Sequence, residues 1–352
     1  MNAYAPSSDA AMSLEAATMA VRPMDAMALS MGPMTMGPLP MSLRSTAAMD
    51  RQPPAAGPTA MDRGQDKLPW SGELWHRIDR AVHAESMRTM PASAFLPRVG
   101  PMPGALTVDS DQTLVDTREL AIDEAATFPL VEVWAEFALT PQQVAREAEI
   151  MTACTLAKRA TNVLAQATDL LVFQGDAAVA GDPLFTGRRV RTRSGPAGTG
   201  LLNAIPQDAA AQRIEVGAVS AGESRFGERT YEAVTEGCAR LESKGHYGPY
   251  ALILHTVPYA DTFAPLAVTL ETPASLLEPM LGAGFYETGS LPPSTGLLVS
   301  VGGNSMDLVV GRDATATFLQ QDFEGKYVFR VYKRFALRVK DDSAIIRLDF
   351  ES

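Results

Sequence analysis

Between residues 128 and 140 the stretch FPLVEVWAEFALT alternates, with Leu130, Glu132, Trp134 and Glu136 on one side and Val131, Val133, Ala135 and Phe137 on the other. Successive strand side chains point to opposite faces, so this period predicts a β-strand. Thr140-Pro141-Gln142-Gln143 then reads as a capping box with proline at the first helical position. It opens an Ala-rich helical region, with room for an interruption, that runs towards Phe173 and stops before Gly175. Upstream, in LPWSGELWHRIDRAVHAESMRTM (68–90), Leu74, Ile78 and Ala81 or Val82 recur at helical spacing, with Ser71 as N-cap. A further helical region covers about 222–243 and ends at Gly245.

Beyond it the pattern turns to strands: YALILHT (250–256), TGLLVSVGG (295–303) and MDLVVG (306–311). A ribbon over 315–352 follows, in which Phe329, Val331, Phe335, Leu337 and Val339 face one way and Arg330, Arg334, Arg338 and Lys340 the other. That predicts a half-buried antiparallel strand, turned back by Asp341-Asp342-Ser343 into Ile346, Leu348 and Phe350. The class is α+β.

Three stretches carry no such period. FLPRVGPMPGALTVDSDQTLVDTRELAIDEAATF (95–128) mixes turn signals with short alternating runs, as an extended two-stranded arm without a core of its own would. Residues 181–206 are loop-rich. Residues 1 to about 66 hold 11 of the 17 methionines and one aromatic, Tyr4. Prolines in MGPMTMGPLP remove donors and block helix propagation, and so few large apolar groups cannot offset chain entropy. This segment is expected to be a disordered arm.

Composition narrows the choices. The 352 residues are 46% hydrophobic and 20% charged, enough for a real core. A net charge of −11 without a Lys/Arg block argues against wrapping nucleic acid through phosphates. Cys154 and Cys238 stand far apart, which fits a reducing cytoplasm. No apolar run approaches the roughly 20 residues of a membrane span. Asp9 and Glu15 interrupt the beginning of the chain, so no secretory leader is expected.

The search for chemistry is largely empty. The four histidines (76, 83, 246, 255) are scattered, and Arg80 lies between His76 and His83. GPAGTG (195–200) lacks the Lys-Ser/Thr end of a phosphate loop, and no G-x-S-x-G elbow is present. Glu271 and Glu278, near Thr269 and Thr272, fit a solvated loop or a mouth that attracts cations. The methionines are thioethers without nearby His or Cys, closer to an adaptable apolar arm than to a soft-metal site. A chain of this size without catalytic groups points to a structural role.

Six segments resemble the type 1 encapsulin shell proteins, the linocin-type bacteriocin family, which share the phage major-capsid (Hong Kong 97) fold. They are LWHRIDRAVHAE (74–85), FPLVEVWAEFALT (128–140), TDLLVFQGD (168–176), GHYGPYALIL (245–254), GGNSMDLVVGRD (302–313) and YVFRVYKRFALRVKDDSAI (327–345). The resemblance implies a self-assembling icosahedral shell and no catalytic residues. Its domains would be a luminal arm (1–66), an N-terminal helix beside the cargo groove (67–98) and an E-loop (99–128). A P-domain spine helix (129–184), an A-domain (185–303) and P-domain terminal strands (304–352) would follow. The E-loop would clasp a neighbour by strand addition, and without a lysine in it cohesion would be noncovalent.

Carried over by position, Met87, Met90, Phe95 and Leu96 would form one wall of a groove for a cargo protein's terminal peptide, with Ala314, Ala316 and Phe318 opposite. ASAFLPRV (92–99) replaces the Arg-rich, Asp-containing segment usual in the family. Thr269, Glu271 and Thr272 would line a pore. Some members stack a flavin on an E-loop tryptophan; Trp134 lies beyond that loop, so neither a flavin nor any other cofactor, nor a metal, is expected. The implied partners are further copies of the chain and a cytoplasmic cargo, ferritin-like or a peroxidase, serving iron storage or oxidative-stress defence, with no membrane or nucleic acid. PMSLRS (40–45) resembles the Ser-Leu-Arg core of cargo tails, so the arm would compete with cargo for the groove or occupy it when cargo is absent; the other reading of the arm is a disordered tail with no partner. The alternative is a prophage major capsid protein packaging DNA.

Overall fold

The computed structural model describes residues 63–115, 120–123, 126–193, 195, 197–219, 225–266 and 270–351. The Ser71 hydroxyl accepts the Leu74 amide at 3.3 Å and opens α1 (Gly72–Thr89), whose buried face carries Trp75, Ile78 and Val82. α2 (Pro91–Phe95) follows, then β1 (Arg98–Val99). The next segment is two ribbons: β2 (Thr107–Asp109) pairs with β5 (Thr127–Pro129), and β3 (Gln112–Val115) with β4 (Leu120–Asp123). β6 (Val131–Leu139) leads into the predicted capping box, in which the Thr140 hydroxyl and Gln143 carboxamide accept each other's backbone amides.

The interruption in the long helical region is real. α3 (Pro141–Ala145) and α4 (Glu147–Ile150) precede Met151 at φ 52, and only then does α5 (Thr152–Gln174) run to Gly175 at φ 62. Glu147 explains the restart: its buried carboxylate accepts the amides of Ala153 at 2.7 Å and Cys154 at 3.2 Å, capping α5. Short elements follow, namely α6 (Asp176–Gly181), α7 (Pro183–Thr186), β7 (Arg191–Arg193), α8 (Gly200–Ala204) and β8 (Arg213–Gly217). α9 (Gly227–Ser243), β9 (Tyr250–His255), α10 (Thr256–Asp261), α11 (Pro273–Leu281), β10 (Gly282–Thr288) and β11 (Thr295–Ser300) come next. The chain ends in β12 (Met306–Gln321), β13 (Tyr327–Val339) and β14 (Ile345–Glu351).

Two five-stranded sheets result, ordered β1-β12-β13-β6-β7 and β10-β9-β11-β14-β8. The second is covered on both faces. Ala251, Ile253, Leu297, Val299 and Ile345 join the core built on α1 and α5, while Leu252, Leu254, Leu298 and Ile346 join a second core under α9 and α11. That is why YALILH reads as a continuous apolar run.

Three expectations are corrected. The half-buried reading of β13 fails, because Arg338 and Lys340 are buried on its polar side and Lys333 on its apolar side. Asp307, with no exposed surface, stands across from Arg338 in register. It accepts two bonds from the guanidinium at 2.8 and 2.7 Å and one ion pair from Lys340 at 3.0 Å. The arm over 99–128 is two-stranded as expected, but its root packs on its own body. β1 joins β12, Arg338 donates to the Asp109 carbonyl and to Asp111, and the Thr113 amide donates to the Lys340 carbonyl at 2.9 Å. Val99, Ala105 and Val108 cover Leu130, Val309 and Ala336. Lastly, the Met/Pro-rich arm was drawn to residue 66, yet residues 63–66 belong to the folded body; residues 1–62 lie outside the described residues.

Removing one member of a buried charge cluster leaves the others uncompensated, at about 3–5 kcal/mol. Asp307→Ala is therefore expected to lower unfolding stability by that amount in denaturant titration. Arg338→Met should additionally raise amide hydrogen exchange at residues 107–113. Unchanged exchange there would show that the arm root is held by something other than this cluster.

Candidate functional site

The seam between α1 and β12 is where the cargo groove was expected. Trp70 stacks on Phe329 at 5.3 Å between ring centres, Phe137 stacks on the same ring at 5.2 Å, and Phe318 meets it edge-on at 5.5 Å. The Trp70 indole N–H donates to the Val144 carbonyl at 2.9 Å, which fixes the start of α1 against α3. Along this seam lie residues 63–68. Arg63 makes a two-pronged ion pair with Asp79 of α1 and donates to the Ala316 carbonyl of β12 at 3.2 Å. Gly64, at φ 63, sits so close to the Phe318 carbonyl that a Cβ there would come within 2.9 Å of it. The chain thus closes its own seam.

That closure decides where the seven groove residues lie. Met90, Phe95, Leu96, Ala316 and Phe318 are buried, Ala314 is partly buried against the same core, and Met87 is 60% exposed. Phe95 faces Phe173 and Tyr286 at 6.4 and 5.7 Å between ring centres, well inside the body. The seven do not converge on an open channel. Their placement is that of packing residues, with Met87 the exposed one among them.

Met90 leads to groups that the sequence reading missed. Its sulfur is 3.3 Å from the Lys333 ammonium, and Asp169 accepts the Ala92 amide at 3.2 Å at the start of α2. Burial raises the Asp169 carboxyl to about 8 and lowers Lys333 to about 8. Asp169 also borders a cavity of about 370 Å³ shared with Asp182, Glu287 and Ser290. A lysine interleaved among Phe329, Val331 and Phe335 was the available signal.

The candidate pore segment is a turn leading into α11. Thr269 lies outside the described residues; Glu271 is exposed and Thr272 half-buried. The Thr272 hydroxyl accepts the Ser275 amide at 3.3 Å, so it caps α11. The Glu271 carbonyl accepts the Leu266 amide at 2.8 Å, closing the turn, and Leu270 projects from it at 79% exposure. Among the described residues no three His, Cys, Asp or Glu side chains come together as a metal would need. His246 is within 2.7 Å of the Ser343 hydroxyl, and His255 caps α10. No helix of the described residues is long and apolar enough to cross a membrane.

A family model described as "Encapsulating protein for peroxidase" matches residues 217–336, from the end of β8 into β13. The type 1 encapsulin shell protein EncA of Myxococcus xanthus (strain DK1622) is 25% identical over 301 residues, covering 81% of this chain and 96% of that protein. The chain is therefore similar to an encapsulin shell protein over most of its length. A virus-like particle from Pyrococcus furiosus shares the fold with a TM-score of 0.57 at 15% identity, covering 79% of this chain and 100% of that one. The capsid of Myoviridae Phage XM1 gives a TM-score of 0.50 at 12% identity, covering 75% and 92%. The expected α+β capsid-like fold therefore stands, shared with a virus-like particle and a phage capsid.

Because Asp169 is raised from 3.8 to about 8, the folded chain holds a proton between those values that the unfolded chain has released. Stability then falls as pH rises through that window. Asp169→Asn keeps an acceptor for Ala92 and removes this titration. Its melting temperature is expected to gain on the parent chain from pH 5 to pH 8, and a constant difference would contradict the assignment.

Proposed function

We propose that this chain is the tile of a closed icosahedral shell that encloses a cargo protein in the cytoplasm. The observation that carries the reading is the likeness to an encapsulin shell protein over 81% of the chain. The arm supports it. Beyond its anchored root, the β3–β4 ribbon pairs with no other strand among the described residues, and Ile122 on it is 64% exposed. Such an edge gains partners by strand addition to a neighbouring copy. In this reading residues 67–98 are the N-terminal helix of the P-domain and 99–128 the E-loop. Residues 129–184 carry the spine, 185–303 the A-domain and 304–352 the closing strands.

The cargo would be an oxidative-stress or iron-handling enzyme, ferritin-like or a peroxidase, docked by a short apolar terminal peptide. The description of the matching family names a peroxidase, which fits the second choice. Docking at the α1–β12 seam would require residues 63–68 to be displaced or the peptide to lie beside exposed Met87. Thr269, Glu271 and Thr272 remain the proposed pore lining, with Glu271 as its charge. The prophage-capsid reading shares the fold but not the sequence match.

Size exclusion and negative-stain microscopy of the purified chain are expected to show megadalton spheres free of nucleic acid; copurifying DNA would favour the phage reading. Replacing 112–123 by a short glycine linker should leave small oligomers in place of spheres. Deleting residues 1–62, which spares Arg63, is expected to raise cargo occupancy at fixed expression. Unchanged loading would end the competing role of the N-terminal arm.

A further inference from the structure

The turn joining β12 to β13 carries an aromatic ring in open solvent. Phe323 is 112% exposed, more than any other large apolar side chain among the described residues. The turn around it is firmly built. The Asp322 carboxylate accepts the amides of Glu324 at 2.9 Å and Lys326 at 2.8 Å, and the Asp322 carbonyl accepts the Gly325 amide at 3.0 Å. Gln321 donates to the Gly325 carbonyl at 3.0 Å. The Asp322 carboxylate is engaged within the turn, and the exposed Glu324, next to Phe323 in sequence, carries a carboxylate paired on one oxygen with Lys326 at 2.6 Å. A large apolar group held rigidly in water loses little entropy on burial and gains its whole area.

A cavity of about 390 Å³ with matching chemistry opens on the outer part of β6. Its apolar lining comes from Trp134, Phe137, Leu156 and Val163, and its charge from Arg159, Arg188, Arg189 and Arg191 against Glu136 alone. The floor is fixed, since Glu136 accepts the Trp134 indole N–H at 2.9 Å and pairs with Arg191 at 3.2 Å. Phenyl rings favour aromatic and aliphatic floors, and guanidinium groups favour carboxylates.

The two features are not in contact within one chain. Strand register places Phe137 across from Phe329 and Trp134 across from Tyr332. At roughly 3.3 Å per residue, the cavity therefore spans about 10 to 20 Å back along the sheet from the turn, and the fully exposed Phe323 does not reach it. We propose that Phe323 and Glu324 of one copy insert into the Trp134–Arg189 cavity of another. The contact is head-to-tail, which closes into rings when the rotation between copies allows. This rests on the shell reading above and adds to it a specific joint outside the E-loop.

Cysteine pairing tests the joint in the assembled full-length protein. Under mild oxidation, Phe323→Cys combined with Leu156→Cys is expected to give a ladder of cross-linked chains on a non-reducing gel, while neither single variant does. Phe323→Ala should raise the subunit concentration needed for half-assembly by about tenfold, the loss of one buried aromatic anchor. Spheres that form without the paired ladder, or a ladder from Phe323→Cys alone, would overturn this joint and leave the shell reading standing. A parent chain that stays a 37.6 kDa monomer would overturn both.

Discussion

A carboxylate without access to water, Asp307, anchors the charge cluster that ties the central hairpin to the root of the arm. It sits opposite Arg338 in the β12–β13 register and within ion-pair distance of Lys340. A one-residue slip of that long hairpin would leave the carboxylate facing apolar neighbours and both cations unpaired, at a cost no surrounding contact could offset. The same guanidinium reaches Asp109 and Asp111 at the root of the arm. One charge cluster therefore fixes the central hairpin and fastens the arm that leaves it. Glu132, buried between Arg330 and Arg334 at 3.3 and 2.7 Å, repeats the device on the neighbouring strand pair.

Much of this architecture could be read from periodicity, and the failures have a common cause. FPLVEVWAEFALT, the Thr140 capping box and the Gly175 stop are local signals, and each corresponds to a formed element. The polar side of β13 was read as solvated because alternation reveals two faces but not what covers them. The cover comes from residues 99–113, more than two hundred positions away in sequence. Asp307 was hidden by its apolar neighbours in MDLVVG, although an acidic residue there, opposite an arginine-bearing ribbon, was a usable clue.

The candidate groove shows the same limit from the other side. Apolar residues in a wall and apolar residues in a core are identical in sequence, and Met90, Phe95 and Phe318 proved to be core. At Phe318 the cover comes from Arg63 and Gly64, inside the stretch whose composition matches the Met/Pro-rich arm, while Phe95 is covered by Phe173 and Tyr286. Arg63 is ordered by Asp79 and by the Ala316 carbonyl, partners that a compositional window does not see. The fold was legible to a useful degree; the binding surface was much less so.

The fastening of the arm at its root has a kinetic meaning. In the proposed shell, a limb fastened at its root would offer an approaching subunit a narrow range of capture geometries, with little orientational freedom left to surrender on contact. Curvature would then be written largely into the free building block, so that growing fragments of such a shell would inherit their bend instead of negotiating it at each addition.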